Sequence, residues 1–109
     1  MKFDMNKMLQ EAQRMQEELA KAQQEAATEV VEASAGGGMV TVKANGAGEV
    51  FSITIDPKAI DPDDPELLSD LVLAAVNEAL RSSRALMESK MSGLMPGGLG
   101  DLGGLLPGG

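Results

Sequence analysis

Basic residues recur at a fixed interval near the start of this chain. Lys7, Arg14 and Lys21 stand seven residues apart, and Lys2 extends the row by roughly one turn. On a helix that spacing places one cation every two turns along a single face, an arrangement able to contact successive phosphates of a polyanion. Glu11, Glu18 and Glu25 each follow a basic residue by four positions, so intrahelical pairing is available in the less favourable order. On composition alone, a solvated charged face that keeps the helix soluble is the better account of the row. Arg81, Arg84 and Lys90 form the only net-positive region, and basic residues at a helix end also suit the helix dipole.

Other chemistry is sparse. The chain has no cysteine and no histidine, which removes disulfides, thiolate nucleophiles, thiolate metal sites and the usual general base near neutral pH. The serines fall in no pattern with an activating lysine, so an enzyme is not expected and no cofactor is called for. Asp56, Asp61, Asp63, Asp64 and Glu66 are acidic enough to suggest a cation site, but the interleaved prolines and the lack of an EF-hand spacing favour capping and charge repulsion instead. Gly36-Gly37-Gly38 and Gly46-Ala47-Gly48 lack the lysine and hydroxyl residue of a phosphate loop and read as turns. Phe3 and Phe51 are too few and too far apart for a base-stacking platform.

The elements that carry these residues follow from periodicity. Met5, Met8, Ala12, Met15, Leu19, Ala22 and Ala26 occupy the a and d positions of three heptads, the seam of a long helix meeting another helix. That helix is expected from Asp4, its N-cap, to Ala27. At 1.5 Å per residue it spans roughly 35–40 Å, too long for a small domain to cover, so part of it should project. Strands are expected at Thr28–Ser34, Met39–Ala44 and Glu49–Ile55, joined by the triple glycine and by the Asn45-Gly46 turn, either as a two-residue hairpin or a longer loop through Gly48. Val40, Val42 and Ala44 share one face, and Phe51, Ile53 and Ile55 alternate with polar residues as in a half-buried strand. An acidic proline linker, Asp56 to Pro65, leads to a second helix capped by Asp64 and running to about Met91. The fold class is α+β, in the order α-β-β-β-α, with a three-stranded antiparallel meander.

With 109 residues and no tyrosine or tryptophan, one domain with a modest core is expected, over residues 1–92. Residues 93–109 hold eight glycines and two prolines and read as a flexible Gly/Leu/Pro tail. The second helix is apolar around most of its circumference through Leu71–Val76, with polar Asp70, Asn77, Arg81, Arg84 and Glu88 in one stripe. It needs cover on more than one side, and a second copy of the chain is the economical source. Phe51, Ile53, Ile55, Leu71, Val72, Ala75 and Val76 are the residues expected to pack within the subunit or between two. No stretch approaches the ~18 apolar residues of a membrane span and no signal peptide is evident, so a cytoplasmic protein without a membrane partner is expected. The formal charge of −8 favours solubility and opposes broad binding to nucleic acid.

Certain runs resemble a known family. Gly38-Met39-Val40-Thr41-Val42-Lys43-Ala44-Asn45-Gly46 looks like its hairpin, Ile53-Thr54-Ile55-Asp56-Pro57 like its strand end, and Leu68-Ser69-Asp70-Leu71-Val72 with Ala74-Ala75-Val76-Asn77-Glu78-Ala79 like its second helix. Met91, Gly93 and Leu94 fit its helix exit. The joint order is similar to the YbaB/EbfC nucleoid-associated proteins. The resemblance implies a tweezer-like bacterial homodimer, located in the nucleoid, that binds duplex DNA and alters its conformation. Roles in nucleoid organisation, gene expression and DNA protection go with it, and a small-molecule substrate does not. Lys2, Lys7, Arg14 and Lys21 lie on the matching projecting helix, and Arg81, Arg84 and Lys90 on the matching second helix. No base-reading side chains are in evidence, so shape-dominated contact with weak sequence preference is expected. The alternative is a protein-interaction adaptor that presents the methionine-rich face of the projecting helices to a partner.

Overall fold

A computed structural model describes residues 4–94. The element order is α1 (Met5–Thr28), β1 (Val30–Ala35), β2 (Val40–Asn45), β3 (Val50–Ile55), a single 3-10 turn (Pro57–Ala59) and α2 (Pro65–Ser92). This is the expected α-β-β-β-α arrangement. Lys2 and the tail beyond Leu94 lie outside the described residues.

Local chemistry sets most boundaries. The Asp4 carboxylate accepts the Lys7 N–H at 3.2 Å and starts α1. Thr28, expected to open the first strand, closes α1 instead, with its hydroxyl donating to the Glu25 carbonyl at 2.8 Å. Strand β1 therefore begins at Val30. The three glycines between β1 and β2 all adopt left-handed backbone (φ 65, 67 and 95°), which only glycine enters without cost. Between β2 and β3 the longer of the two expected loops forms, because the Asn45 side-chain oxygen accepts the N–H groups of both Ala47 and Glu49. Asp64 accepts from the Leu67 N–H at 3.2 Å, with Pro65 just inside α2.

The sheet is an antiparallel meander in the order β1-β2-β3. Its central strand turns Val40, Val42 and Ala44 into the core, all fully buried, against Ala33 of β1 and Ala75 and Ala79 of α2. Burying each of the two valines stabilises the fold by about 1.5–3 kcal/mol. Alanine at the helix–sheet contact lets α2 approach closely, but leaves few large side chains to add to that sum.

Helix α2 lies over β1 and β2 and meets β3 only at its margin. The half-buried face expected for β3 is therefore only partly formed within one chain. Ile55 packs on the core, but Ile53, directly across from buried Val42, is 47% exposed. Phe51 falls at a bulge: Val50 pairs with Ala44 and Ser52 with Lys43, which leaves Phe51 without a cross-strand partner and 56% exposed. Where helix α2 settles on the sheet decides which of these residues is covered.

Candidate nucleic-acid interface

Helix α1 is anchored at one end. Ala22 and Ala26 are buried, while Met15 and Leu19 are half-buried. Further toward the N-terminus Met5 (65% exposed), Met8 and Leu9 have no cover among the described residues. The end of α2 runs antiparallel to the docked part, since Lys90 meets Glu25 and Glu29, and Gly93 and Leu94 share a groove with Glu18 and Ala22. Beyond Glu18, α1 continues for some 13 residues, about 20 Å, past the end of α2.

Lys7 and Arg14 of the basic row stand on this rod, and Lys21 stands at its base on the docked part. Lys7, Arg14 and Lys21 are all exposed, and the helical repeat separates neighbours by about 10 Å along one side. The same repeat puts Glu11 and Glu18 between the seam and the basic row, so Lys7 and Arg14 face away from the packed body, whereas Lys21 lines the groove between α1 and the end of α2. Arg14 approaches Glu18 at 4.0 Å, a loose pair at the surface, worth little in water. Lys7 and Lys21 form no ion pair among the described residues.

The remaining candidates divide. Arg81 is held by Glu78, with its Nη2 at 2.7 Å and its Nε at 3.1 Å from the same carboxylate oxygen. Arg84, one turn on, lies exposed beside Arg81 and Glu88 in a shallow surface groove. Lys90 faces inward instead: its ammonium is 2.5 Å from Glu29 and 3.9 Å from Glu25, tying the end of α2 to the end of α1. The hydrogen bond that Lys90 donates to Glu29 raises its pKa above the ordinary lysine value; desolvation opposes this, and the charges of Glu29 and Glu25 add to it. Lys90 and Lys21 share one groove with Glu18 and Glu25. Lys7 and Arg14 stand farther along α1, and Arg81 and Arg84 on a separate patch.

Several assignments made from residue type acquire a local cause. Asp56, Asp61 and Asp64 each accept a backbone N–H two or three residues on, so the acidic linker is a run of caps and turns. Of the hydrophobic candidates, Ile55, Leu71, Val72, Ala75 and Val76 belong to the core of this chain, and Phe51 and Ile53 remain uncovered together with Leu73 of α2 (61% exposed). Lys43, exposed on the outer face of β2 across from Glu32, and Lys58 are further surface cations that spacing did not single out. A lone lysine in a strand has no periodic signal to mark it.

The chain is thus a small meander backed by α2, with α1 carrying exposed Lys7 and Arg14 out beyond the body. The chain matches the YbaB/EbfC DNA-binding family over residues 1–99 and belongs to that family. It is 51% identical over 109 aligned residues to a nucleoid-associated protein of Saccharopolyspora erythraea, covering 96% of this chain and 93% of that one. It is 47% identical over 102 residues to a nucleoid-associated protein of Ruminiclostridium cellulolyticum, covering 94% and 88% respectively. The crystal structure of an uncharacterized Helicobacter pylori protein has the same fold, with a TM-score of 0.71 over 81% of this chain and 92% of that one at 22% identity.

Proposed function

We propose that this protein is a non-enzymatic, nucleoid-associated homodimer that grips duplex DNA with weak sequence preference and alters its conformation. It acts in the bacterial cytoplasm, and nucleoid organisation, gene expression and DNA protection are the processes it serves. Family membership supports DNA as the partner. The observation that carries the mechanism is the exposed pair Lys7 and Arg14 on a rod that outruns the body, continued by exposed Lys21 at its base. Because the chain carries −8 overall, a general electrostatic attraction is unavailable and affinity comes from local contacts to phosphates. Each such contact steepens the salt dependence by about 0.9 log units of affinity per log unit of salt.

The dimer is supported by the uncovered apolar residues Phe51 and Ile53 of β3, beside a core too rich in alanine to stabilise itself amply, and by exposed Leu73 of α2. Pairing two copies through the β3 side of the sheet buries Phe51 and Ile53 and leaves both rods free, as a pair of tweezers requires. A second reading, a protein-interaction adaptor, has one observation in its favour: Met5, Met8 and Leu9 present an adaptable apolar stripe on the same rod.

Fluorescence anisotropy with a labelled duplex separates the two. The DNA reading expects binding at about 50 mM salt that weakens steeply as salt rises. No binding at that salt transfers the rod to the adaptor reading. Sedimentation at micromolar concentration is expected to show a dimer, and a monomer there would remove the tweezers.

A further inference from the structure

The rod is held by a joint made of very small groups. The Gly46 N–H of the β2–β3 loop donates to the Ala26 carbonyl at 2.8 Å, and Glu29 N–H donates to the same oxygen at 3.2 Å. This satisfies a carbonyl in the last turn of α1 that has no partner within the helix. Gly46 is buried, and its φ is not positive. Glycine is needed for space: a Cβ there would collide with the Ala26 carbonyl oxygen and fall 2.8 Å from the Ala26 Cβ. The loop is locked from the other side by Ser83 of α2, 1% exposed, whose hydroxyl donates to the Asn45 carbonyl at 2.7 Å. Ala22 and Ala26 close the contact, with Lys90 bracing its rim.

From these contacts we infer that Gly46 and Ser83 are positioning residues for DNA: they set the angle at which α1 leaves the body and so the aim of cations they never touch. The inference rests on the DNA reading above. Leverage makes it consequential. Lys7 stands nineteen residues, about 28 Å, from Ala26 along the helix axis, so a tilt of about 10° at the joint carries it about 5 Å. That is nearly the ~6 Å width of the minor groove. A loosened rod keeps every charge but loses the simultaneous engagement of several of them.

The test uses Gly46→Ala and Ser83→Ala in the full chain. The absence of cysteine allows spin labels at Gln10→Cys on the rod and Ser34→Cys on the body, diluted with unlabelled protein. Two quantities are measured: the width of the label–label distance distribution, and the slope of log affinity for duplex DNA against log salt. Both variants are expected to broaden the distribution at least twofold and to lower the slope by about 1, with no cation removed. Mere loss of folded protein lowers the active fraction but leaves that slope intact, so the slope separates aim from stability.

An unchanged distribution in both variants overturns the joint. A broadened distribution with an unchanged slope overturns the positioning role, because the cations would then bind at any angle. If Gly46→Ala fails to fold, Ser83→Ala, which removes one hydroxyl, decides alone. If the unmutated chain binds no DNA, it is the DNA reading that has failed, and the positioning role falls with it; the distance distribution still shows whether the joint holds the rod.

Discussion

The two halves of α1 follow one heptad pattern with different residues. In the docked half the seam is Ala22 and Ala26, buried against α2 and the β2–β3 loop. In the projecting half it is Met5 and Met8, more than half exposed, with Leu9 beside them. Alanine allows close backbone approach and a fixed angle, at little gain in buried area. Methionine offers area and adaptability without specifying a partner geometry. One helix thus carries an anchor chosen for fit and an arm free to meet something else. Regular spacing announces both halves, and side-chain size tells them apart.

The contrast is broken most forcefully at the anchor. Ala26→Leu inserts three heavy atoms where Gly46 already approaches closely, and is expected to cost about 1–3 kcal/mol by thermal or denaturant melting. Met8→Ala, at the equivalent seam on the arm, should stay within about 0.5 kcal/mol. Equal effects would mean that the arm is packed after all. A smaller change concerns the acidic row beside the cations. Glu11→Gln with Glu18→Gln should tighten duplex binding about two- to fivefold at low salt, since each carboxylate lies one turn from a basic residue. Weaker binding would show that these glutamates aim the cations and do not oppose them.

The smallest effect is at Lys90. Its pKa in the folded state is raised by Glu29 and Glu25, so its contribution is complete at neutral pH, below the unfolded lysine value of about 10.4. It is lost as pH rises through the higher folded value. Melting followed from pH 9 upward should therefore lose a component that Lys90→Gln lacks throughout, and identical pH profiles for both proteins would remove the brace.

Much of this was legible before any coordinates. The heptads, the meander, the Asp4 and Asp64 caps and the narrow polar stripe of α2 depend on neighbours within a few residues, and the residues themselves announce them. Asp70, Asn77, Arg81, Arg84 and Glu88 are all exposed, as the stripe requires. Other features depend on encounters across the chain. The exposure of Ile53 follows from where α2 lies on the sheet, and the charge that makes Lys90 a DNA candidate is taken up by partners at the end of a distant helix. Gly46 was legible as a turn residue, but the reason it must be glycine, the carbonyl of Ala26, was not. Cations on the arm could be picked by charge and spacing, yet only the packing of α1 against α2 showed which of them stand clear.

The central claim is that the cations along α1 are what hold DNA. The most direct measurement is the salt dependence of duplex binding for the intact chain against Lys7→Glu, Arg14→Glu and Lys21→Glu combined. Unchanged melting is expected, with affinity reduced at every salt concentration and a slope of log affinity on log salt shallower by about 2–3 for each helix engaged. Equal affinity and equal slope for the two proteins would contradict it and place the DNA contact elsewhere on the molecule.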